Sequence, residues 1–205
     1  MKNIRTKWNS RYNEIQVPNQ VINVVKLNQH LLPVSGKSLD LACGLGGNAL
    51  RMAELGFASH AWDISDSAVH KVQEFAQERQ LKLSIRQSDI SQAEEQQKMI
   101  DEGFDVIIVS RFLLREVIPT INLALKPGGL IFYQTFVQES IVQESIVNST
   151  DDSANIPKNN HFRLEPNELL HLFSGLRLRY YREEGLQGDT QRGFRNEAML
   201  VAQKI

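Results

Sequence analysis

Three aspartates and a glycine-rich turn are the residues of this chain whose types and spacing favour ligand binding. Residues 38–50 read SLDLACGLGGNAL, so Asp40 stands just before the glycines of residues 44–47. Glycines allow a backbone to approach a ligand closely, and a glycine turn after a strand is where a doubly wound sheet binds its ligand. Asp63 and Asp89 stand at the ends of the next two strand-like segments. Three acids at successive strand ends predict one shared binding edge.

The turn by itself leaves two kinds of ligand open. Residues 44–49 satisfy the GxGxxA pattern that cradles a dinucleotide pyrophosphate at a helix N-terminus. Asp40 argues for another ligand, because a carboxylate repels a pyrophosphate and attracts an ammonium group such as that of a methionine moiety. Its alternative role is to accept hydrogen bonds from the amides of the turn. Asp63 suits the ribose of NAD and of S-adenosylmethionine alike, and Asp89 either reaches an adenine amino group or caps a helix from Ser91 onward.

An alternation of strands and helices is needed to hold these acids at one edge. Apolar runs predict seven strands, at residues 37–42, 57–63, 81–88, 104–109, 130–137, 176–181 and 197–205. Helical spacing predicts an amphipathic helix over residues 17–32 and further helices between the first five strands, with a turn at residues 126–129. The last two strands have no helix between them, which predicts an antiparallel closing pair. The predicted fold class is therefore α/β, with a doubly wound, seven-stranded, mostly parallel sheet.

Length and composition predict a single domain that covers residues 1–205. The chain has 205 residues, of which 41% are hydrophobic and 23% charged, as is ordinary for a globular protein with one core. We divide it into an N-terminal helical cover (1–34), a binding core (37–137), a long loop (138–163) and a closing helix with two strands (164–205). The pentapeptide QESIV occurs twice, at residues 138–142 and 143–147. This duplication indicates either a lengthened surface segment or a lid over the site.

Charge and cysteine content argue against several classes of protein. A formal net charge of −1 gives no field that would draw the chain onto nucleic acid or an anionic membrane. The longest apolar runs have the length of strands, so no membrane segment is expected. Cys43 is the single cysteine, which excludes an intrachain disulfide and a cysteine-cluster zinc site. We expect a cytoplasmic protein without a structural metal.

Five sequence motifs, in order, resemble those of class I S-adenosylmethionine-dependent methyltransferases. They are DLACGLGGN, AWDIS, SDI, FDVIIVS and LKPGG, and they span about residues 37–137. The resemblance implies a Rossmann-like methyltransferase fold with S-adenosylmethionine as methyl donor and S-adenosylhomocysteine as product. It also implies that Asp40 and the backbone of residues 44–46 hold the methionine end, Asp63 the ribose, and Asp89 with Ile90 the adenine. The full set of implied cofactor-binding residues is Asp40, Ala42, Gly44, Gly46, Asn48, Asp63, Ile64, Asp89, Ile90 and Ser110.

A finer resemblance concerns the methyl acceptor. The N-terminal Trp8-x-x-Arg11-Tyr12, the later YQTF and the segment LEPNELL look like the tellurite-resistance and thiopurine methyltransferase-like branch of the family. That branch implies a small-molecule acceptor, such as a thiol or a chalcogen oxyanion. Residues 110–112 hold no carboxylate, amide or histidine where the family commonly places its acceptor contact or base. A soft nucleophile with its own lone pair needs no base, because alignment and desolvation are most of the task.

Candidate acceptor or lid residues come from three segments near the predicted edge. They are Trp8, Arg11, Tyr12, Arg111, Phe112, Arg115, His161, Arg163 and Arg195. Four of the arginines, at positions 111, 115, 163 and 195, either bind an anionic acceptor together or are solvated surface groups. Among them, Arg111 and His161 are the candidates for a catalytic role, and His161 is the choice if a base is used. Trp8 and Tyr12, four residues apart, either close over the cofactor or staple an N-terminal helix to the core.

Two other functions share this sequence pattern. The first is an NAD-dependent oxidoreductase, against which Asp40 and the closing strand pair argue. The second is a non-catalytic S-adenosylmethionine-binding sensor or accessory subunit, which the absence of a base in residues 110–112 allows.

Overall fold

The computed structural model describes residues 2–139, 157 and 159–205, with side chains from Ile4 onward at the N-terminus. The second QESIV copy and most of the loop predicted as a lid lie outside these residues. Fourteen helices and strands alternate along the described chain. In order they are α1 (Lys2–Asn13), α2 (Asn23–Asn28), β1 (Lys37–Leu41), α3 (Gly47–Glu54), β2 (Ala58–Asp63), α4 (Asp66–Glu78), β3 (Leu83–Gln87), α5 (Ala93–Glu102), β4 (Phe104–Ser110), α6 (Ile118–Ala124), β5 (Leu125–Phe136), α7 (Glu168–Leu172), β6 (Arg177–Arg182) and β7 (Glu197–Gln203).

The strands form one sheet of seven, in the order β3-β2-β1-β4-β5-β7-β6. The first five pair in parallel, and β7 pairs antiparallel with both β5 and β6. The predicted fold class and the antiparallel closing pair are therefore confirmed. The strand order reverses between β1 and β4, and at such a switch point a doubly wound sheet opens a crevice for its ligand.

Each face of the sheet is buried under its own layer. On one face, Leu39, Ile107 and Leu200 belong to a large apolar cluster with residues of α5, α6 and α7. On the other face, Val24 of α2 packs with Phe132 and neighbouring residues. Burial on both faces explains why the central strand β4, FDVIIVS, is a continuous apolar run.

The helix predicted over residues 17–32 is wrong in extent. Helix α2 covers Asn23–Asn28 and continues only as a 3₁₀ turn at Gln29–Leu31. Val17, counted as part of the apolar stripe, is 65% exposed. The chain just before α2 is irregular instead of helical, and its backbone packs directly on the glycine turn, a tertiary contact that outweighs helical spacing.

The predicted turn at residues 126–129 lies inside a strand. Strand β5 begins at Leu125 and includes this segment, and the pairing with β4 shifts register between Phe104 and Val106. The extra residues form an exposed irregularity that the strand accommodates as a bulge.

Among the described residues, the structure contains no helix with the length and apolar character that crossing a membrane requires.

Candidate functional site

The glycine turn joins the carboxyl end of β1 to the first turn of α3. Gly46 is the N-cap of α3 and has a left-handed φ of 73°, which a residue without a Cβ adopts at little cost. Gly47 is a site of close approach instead, because a Cβ there would lie 2.0 Å from the backbone oxygen of Asn19. Ala42, just before the turn, also has a positive φ of 55°. The turn is therefore a specific backbone shape pressed against the N-terminal segment.

Helix α1 brings two aromatic residues to this turn. Tyr12 stacks on Trp8 with ring centroids 5.5 Å apart, and its hydroxyl would lie 2.9 Å from a Cβ at Gly44. The helix is attached to α4 by an ion pair between Arg5 and Asp66 at 2.6 Å. Tyr12 therefore lies over the glycine turn. Nearby Arg11 is exposed, with its guanidinium 5.3 Å from the Trp8 ring centroid.

Five polar side chains form a row across one face of the sheet at this edge, and we call them the polar row. They are Asp63 (β2), Asp40 (β1), Ser110 (β4), Gln134 (β5) and Glu197 (β7). Strand register shows that they share a face: Asp40 is paired with Ala61 and Ile108, Ser110 with Gln134, and Gln134 with Met199. Residues two apart in a strand point the same way, which adds Asp63, Ser110 and Glu197 to the set.

Asp40 is a buried carboxyl in the middle of the polar row. Its oxygens accept hydrogen bonds from the backbone N–H of Ala49 at 3.1 Å and from Asn48 Nδ2 at 3.3 Å. Burial raises the pKa of Asp40 from its ordinary value of 3.8 to about 7, although the two hydrogen bonds lower it. Its contact with the N-terminus of α3 is the structural role that the sequence offered as an alternative. The pKa of Asp40 is raised because no cation among the described residues compensates its burial. A site for an ammonium group requires such an uncompensated carboxyl.

Asp63 is a second buried carboxyl, and it is 6% exposed. It accepts hydrogen bonds from the backbone N–H groups of Gly44 at 2.8 Å and Ser65 at 2.9 Å. Burial raises the pKa of Asp63, and these N–H groups oppose the rise. The side chain therefore ties the glycine turn to the end of β2 and retains acceptor capacity at the edge.

Cys43 is a buried side chain within the same turn. Burial raises the pKa of its thiol, and the neighbouring Asp63 and Asp40 raise it further. A thiol kept protonated in this way is not a nucleophile.

The third acid stands at the end of β3. Asp89 Oδ1 accepts hydrogen bonds from the N–H of Ser91 at 3.1 Å and from its hydroxyl at 2.6 Å. The alternative role of Asp89, as the cap of a helix from Ser91 onward, is not what the structure shows, because α5 begins at Ala93 with Gln92 as its N-cap and Asp89 orders the turn before it. Ile90 is 7% exposed, and Ile64 is half-buried.

Sequence reasoning missed the other half of the polar row. Gln134 is 1% exposed, and its Oε1 accepts a hydrogen bond from the backbone N–H of Val24 at 2.8 Å. Its Nε2 donates to Glu197 Oε2, and Glu197 Oε1 accepts from Arg111 Nε at 2.7 Å. Residues 110–112 contain no carboxylate or amide, but the amide of Gln134 on β5 and the carboxylate of Glu197 on β7 lie beside them. The signal was available, since Gln134 interrupts the apolar run LIFYQTFV.

The predicted acceptor arginines all have protein partners in the structure. Arg115 donates to both carboxylate oxygens of Glu168, at 2.6 and 2.8 Å, and to the backbone oxygens of His161 and Arg163. Arg195 donates to backbone oxygens in its own connecting segment, and buried Arg163 donates to that of Pro157. Together with Arg111, which donates to Glu197, each of these four arginines therefore donates to a protein oxygen.

The remaining acceptor candidates occupy different surroundings. His161 is exposed, and its ring lies 5.5 Å from that of Phe162. The following Leu164 pairs in parallel with Val137, so this segment runs beside the carboxyl end of β5. Phe112 is half-buried, and its carbonyl accepts a hydrogen bond from the buried Tyr133 hydroxyl at 2.8 Å.

The donor set at this edge fits the cofactor implied by the sequence. The glycine turn offers a backbone that approaches closely. Asp40 offers a buried carboxyl that can pair with an ammonium group when ionised, and Asp63 a carboxyl at the correct strand end for a ribose. A dinucleotide pyrophosphate would bring further negative charge to the two buried carboxyls, so the same donor set fits it poorly.

Comparison with known proteins agrees with this fit. A family model described as "Methyltransferase domain" matches residues 34–184. The probable S-adenosyl-L-methionine-dependent methyltransferase TehB of Haemophilus influenzae is 30% identical over 117 residues, which are 56% of this chain and 37% of that protein. The match therefore spans little more than a third of the length of this curated relative.

Two solved structures show the same fold. The crystal structure of TehB from Haemophilus influenzae has a TM-score of 0.65 and 22% identity, covering 98% of this chain and 67% of that one. The magnesium protoporphyrin IX methyltransferase ChlM from Synechocystis PCC 6803, solved with bound SAH, has a TM-score of 0.63 and 15% identity. This alignment covers 100% of this chain and 99% of that chain.

The chain therefore belongs to the methyltransferase-domain family, and its fold is that of class I S-adenosylmethionine-dependent methyltransferases. Within that class its sequence is similar to TehB.

Proposed function

We propose that this chain transfers the methyl group of S-adenosylmethionine to a small molecule that supplies its own lone pair, either a thiol or a chalcogen oxyanion. The observation that supports the proposal is the polar row at the switch point, with Asp40 and Asp63 buried beside a glycine turn. In this proposal Asp40 binds the methionine ammonium, Asp63 the ribose hydroxyls, and Asp89 the adenine amino group. Ala42, Asn48, Ile64, Ile90 and Ser110 complete the cofactor contacts.

Residues 110–112, Gln134 and Glu197 form the part of the edge that we call the acceptor half, and the part with Asp40, Asp63 and the glycine turn is the cofactor half. The acceptor half supports transfer without a protein base. Residues 110–112 contain no group suited to remove a proton, and both oxygens of Glu197 accept hydrogen bonds from Arg111 and Gln134. The acceptor would enter already ionised, a thiol as its thiolate, so that no proton has to be removed when its lone pair takes the methyl group and S-adenosylhomocysteine leaves. Catalysis would then come from alignment of the acceptor and exclusion of water.

The ion pairs at this edge favour the thiol over the oxyanion. An oxyanion binds best where a cation can be given to it, and Arg111, Arg115, Arg163 and Arg195 already donate to protein oxygens. A thiolate carries its charge on one polarisable sulfur and has no oxygens, so it needs fewer hydrogen-bond donors than an oxyanion does. The similarity to TehB, a probable S-adenosyl-L-methionine-dependent methyltransferase, supports methyl transfer without choosing the acceptor.

Calorimetric titration with S-adenosylmethionine, S-adenosylhomocysteine and NAD tests the cofactor half of the proposal. We expect the first two to bind and NAD to bind at least about tenfold more weakly, a gap of about 1.4 kcal/mol. A product screen with thiophenol, selenite, tellurite and a small phenol then tests the acceptor half. Tight binding of S-adenosylmethionine without a methylated product from any of them would favour a sensor or accessory subunit.

A further inference from the structure

The N-terminal segment that covers the site is fixed by two buried side chains from elsewhere in the fold. Asn48 Oδ1 accepts a hydrogen bond from the N–H of Ile22 at 2.9 Å, and Gln134 Oε1 accepts one from the N–H of Val24 at 2.8 Å. The first N–H groups of a helix have no partner within the helix, and the N-cap Ile22 has no side chain that could supply one. Two residues of the cofactor edge thus provide the cap of α2.

Gln134 also connects this cap to the acceptor half of the edge. Its amide oxygen is used by Val24, so its nitrogen must face Glu197, and the second Glu197 oxygen faces Arg111. Every member of this chain has a defined donor or acceptor role, which fixes the orientation of all three side chains.

Stability alone is a poor explanation for this network. Glu197 is 6% exposed and Gln134 1%, and burying an ion pair with an amide often costs more in desolvation than the pair returns. Arg111 also has a left-handed φ of 51°, an unfavourable backbone conformation for a residue with a Cβ. Strain and buried charge that gather beside a candidate site indicate a functional constraint.

We propose that Gln134 and Glu197 are positioning residues for the methyl acceptor, which hold Arg111 and the capped N-terminal segment in a fixed relation at the acceptor half of the edge. This inference rests on the proposed methyl transfer. Neither residue touches the reacting atoms in this role. They act by setting where Arg111 and residues 22–24 lie when the acceptor enters.

The network offers a test by exchange of two side chains. In Glu197→Gln, one amide N–H₂ must face either Arg111 Nε or Gln134 Nε2, so two donors oppose each other. In Gln134→Glu, two carboxylates face each other. In the double variant Gln134→Glu/Glu197→Gln, the carboxylate accepts from Val24 and from the new amide, whose oxygen accepts from Arg111. The double variant therefore restores all three hydrogen bonds and the net charge.

The experiment measures three quantities in the parent, both single variants and the double variant. They are the KM for thiophenol and for selenite, the Kd for S-adenosylmethionine, and the hydrogen-exchange rate of the Val24 amide. We expect each single variant to raise the acceptor KM by at least about tenfold and to speed exchange at Val24, with the Kd changed by less than about threefold. The double variant should return the KM and the exchange rate to within about threefold of the parent.

Asp105→Asn is the matched control. Asp105 lies at the opposite end of β4 and accepts hydrogen bonds from the Lys37 N–H at 2.7 Å and from Lys126 Nζ at 2.8 Å. The Asp105→Asn variant loses its ion pair with Lys126, which lies away from the acceptor half. The acceptor KM of this variant should therefore match that of the parent. If a single variant fails to fold, Arg111→Lys, which keeps the charge but lacks Nε, provides the perturbation instead.

Three results would overturn the inference: an unchanged acceptor KM in the single variants, a parallel loss of affinity for S-adenosylmethionine, or no recovery in the double variant. A parent protein that does not bind S-adenosylmethionine would instead overturn the proposed function. In that case the Val24 exchange rate still decides the network, because equal rates in all variants would show that Gln134 and Glu197 do not position the N-terminal segment.

Discussion

The affinity for S-adenosylmethionine should fall steeply as the pH is lowered through 7. In the ligand-free protein, burial raises the pKa of Asp40 to about 7, so near neutral pH about half of the molecules carry a protonated, neutral Asp40. In the proposed site the methionine ammonium pairs with the ionised carboxylate. Binding must therefore remove this proton, and the affinity depends on the fraction of Asp40 that is already ionised.

The magnitude follows from the titration of a single group. About one molecule in ten has an ionised Asp40 at about pH 6, and about nine in ten at about pH 8. The Kd should therefore be about tenfold larger at the lower pH, a difference of about 1.4 kcal/mol.

The pH dependence that Asp40 gives to folding stability has the opposite sign to the usual one for an aspartate. Because the folded protein binds the proton more tightly than the unfolded chain, stability is greatest below about pH 4 for this group. It then decreases by about 4 kcal/mol as the pH rises through 7.

Calorimetric titration across this pH range, repeated in two buffers of different ionisation enthalpy, measures both the Kd and the number of protons released. We expect a release of about one half of a proton at about pH 7 and little at about pH 8.5. Asp40→Asn should bind more weakly at every pH and lose the pH dependence. A Kd for the parent protein that stays constant across this range would refute the assignment of Asp40 to the ammonium group.

Three further outcomes are expected. Asp63→Ala should weaken S-adenosylmethionine binding by about 1.5 to 3 kcal/mol in calorimetry, because charge-assisted hydrogen bonds are lost. Asp101→Ala, on the exposed face of α5, should leave the affinity unchanged, and an unchanged affinity in both variants would contradict the ribose assignment. His161→Ala should keep turnover with thiophenol within about tenfold of the parent, whereas loss of a general base typically costs about 10² to 10⁴; a thousandfold fall with binding intact would show that His161 is the base. Gly47→Ala should lower the free energy of unfolding by about 1 to 3 kcal/mol or more in urea titrations, because its Cβ would meet the Asn19 backbone oxygen. Parent-like stability in that variant would show that the N-terminal segment is free to shift.

The sheet was predictable because its signals are local. A continuous apolar run such as FDVIIV has few alternatives to a buried parallel strand, and a glycine turn after a strand marks the ligand edge. The position of Asp40 and Asp63 at this edge was predictable from the same rule, because the carboxyl ends of parallel strands meet at one edge of the sheet. What these residues contact within that edge depends on atoms far away in sequence, and the pairing of Asp40 with the Ala49 amide needed the structure.

The errors come from contacts made at long sequence separation. The spacing of Val17 and Val21 is helical, but Asn19 packs against Gly47 and this segment is irregular. Similarly, Glu197 reads as the polar first residue of a strand, and its contact with Arg111 spans 86 positions of sequence. A single sequence does not show which residues that far apart lie close together in space. The contacts of the acceptor half could therefore not be predicted from it.

The position of β7 between β5 and β6 has a consequence for the order of folding. In the sheet that the described residues form, β6 is an edge strand whose neighbour is β7, although β6 is made first. During synthesis, β1 to β5 can pair as they emerge, whereas β6 must wait until Glu197–Gln203 has been added and inserted. Pairings such as Leu130 with Gln203 also close a long loop, which slows their formation. The cofactor half of the edge can therefore be assembled on the ribosome, while the acceptor half is completed only after the last strand has left it.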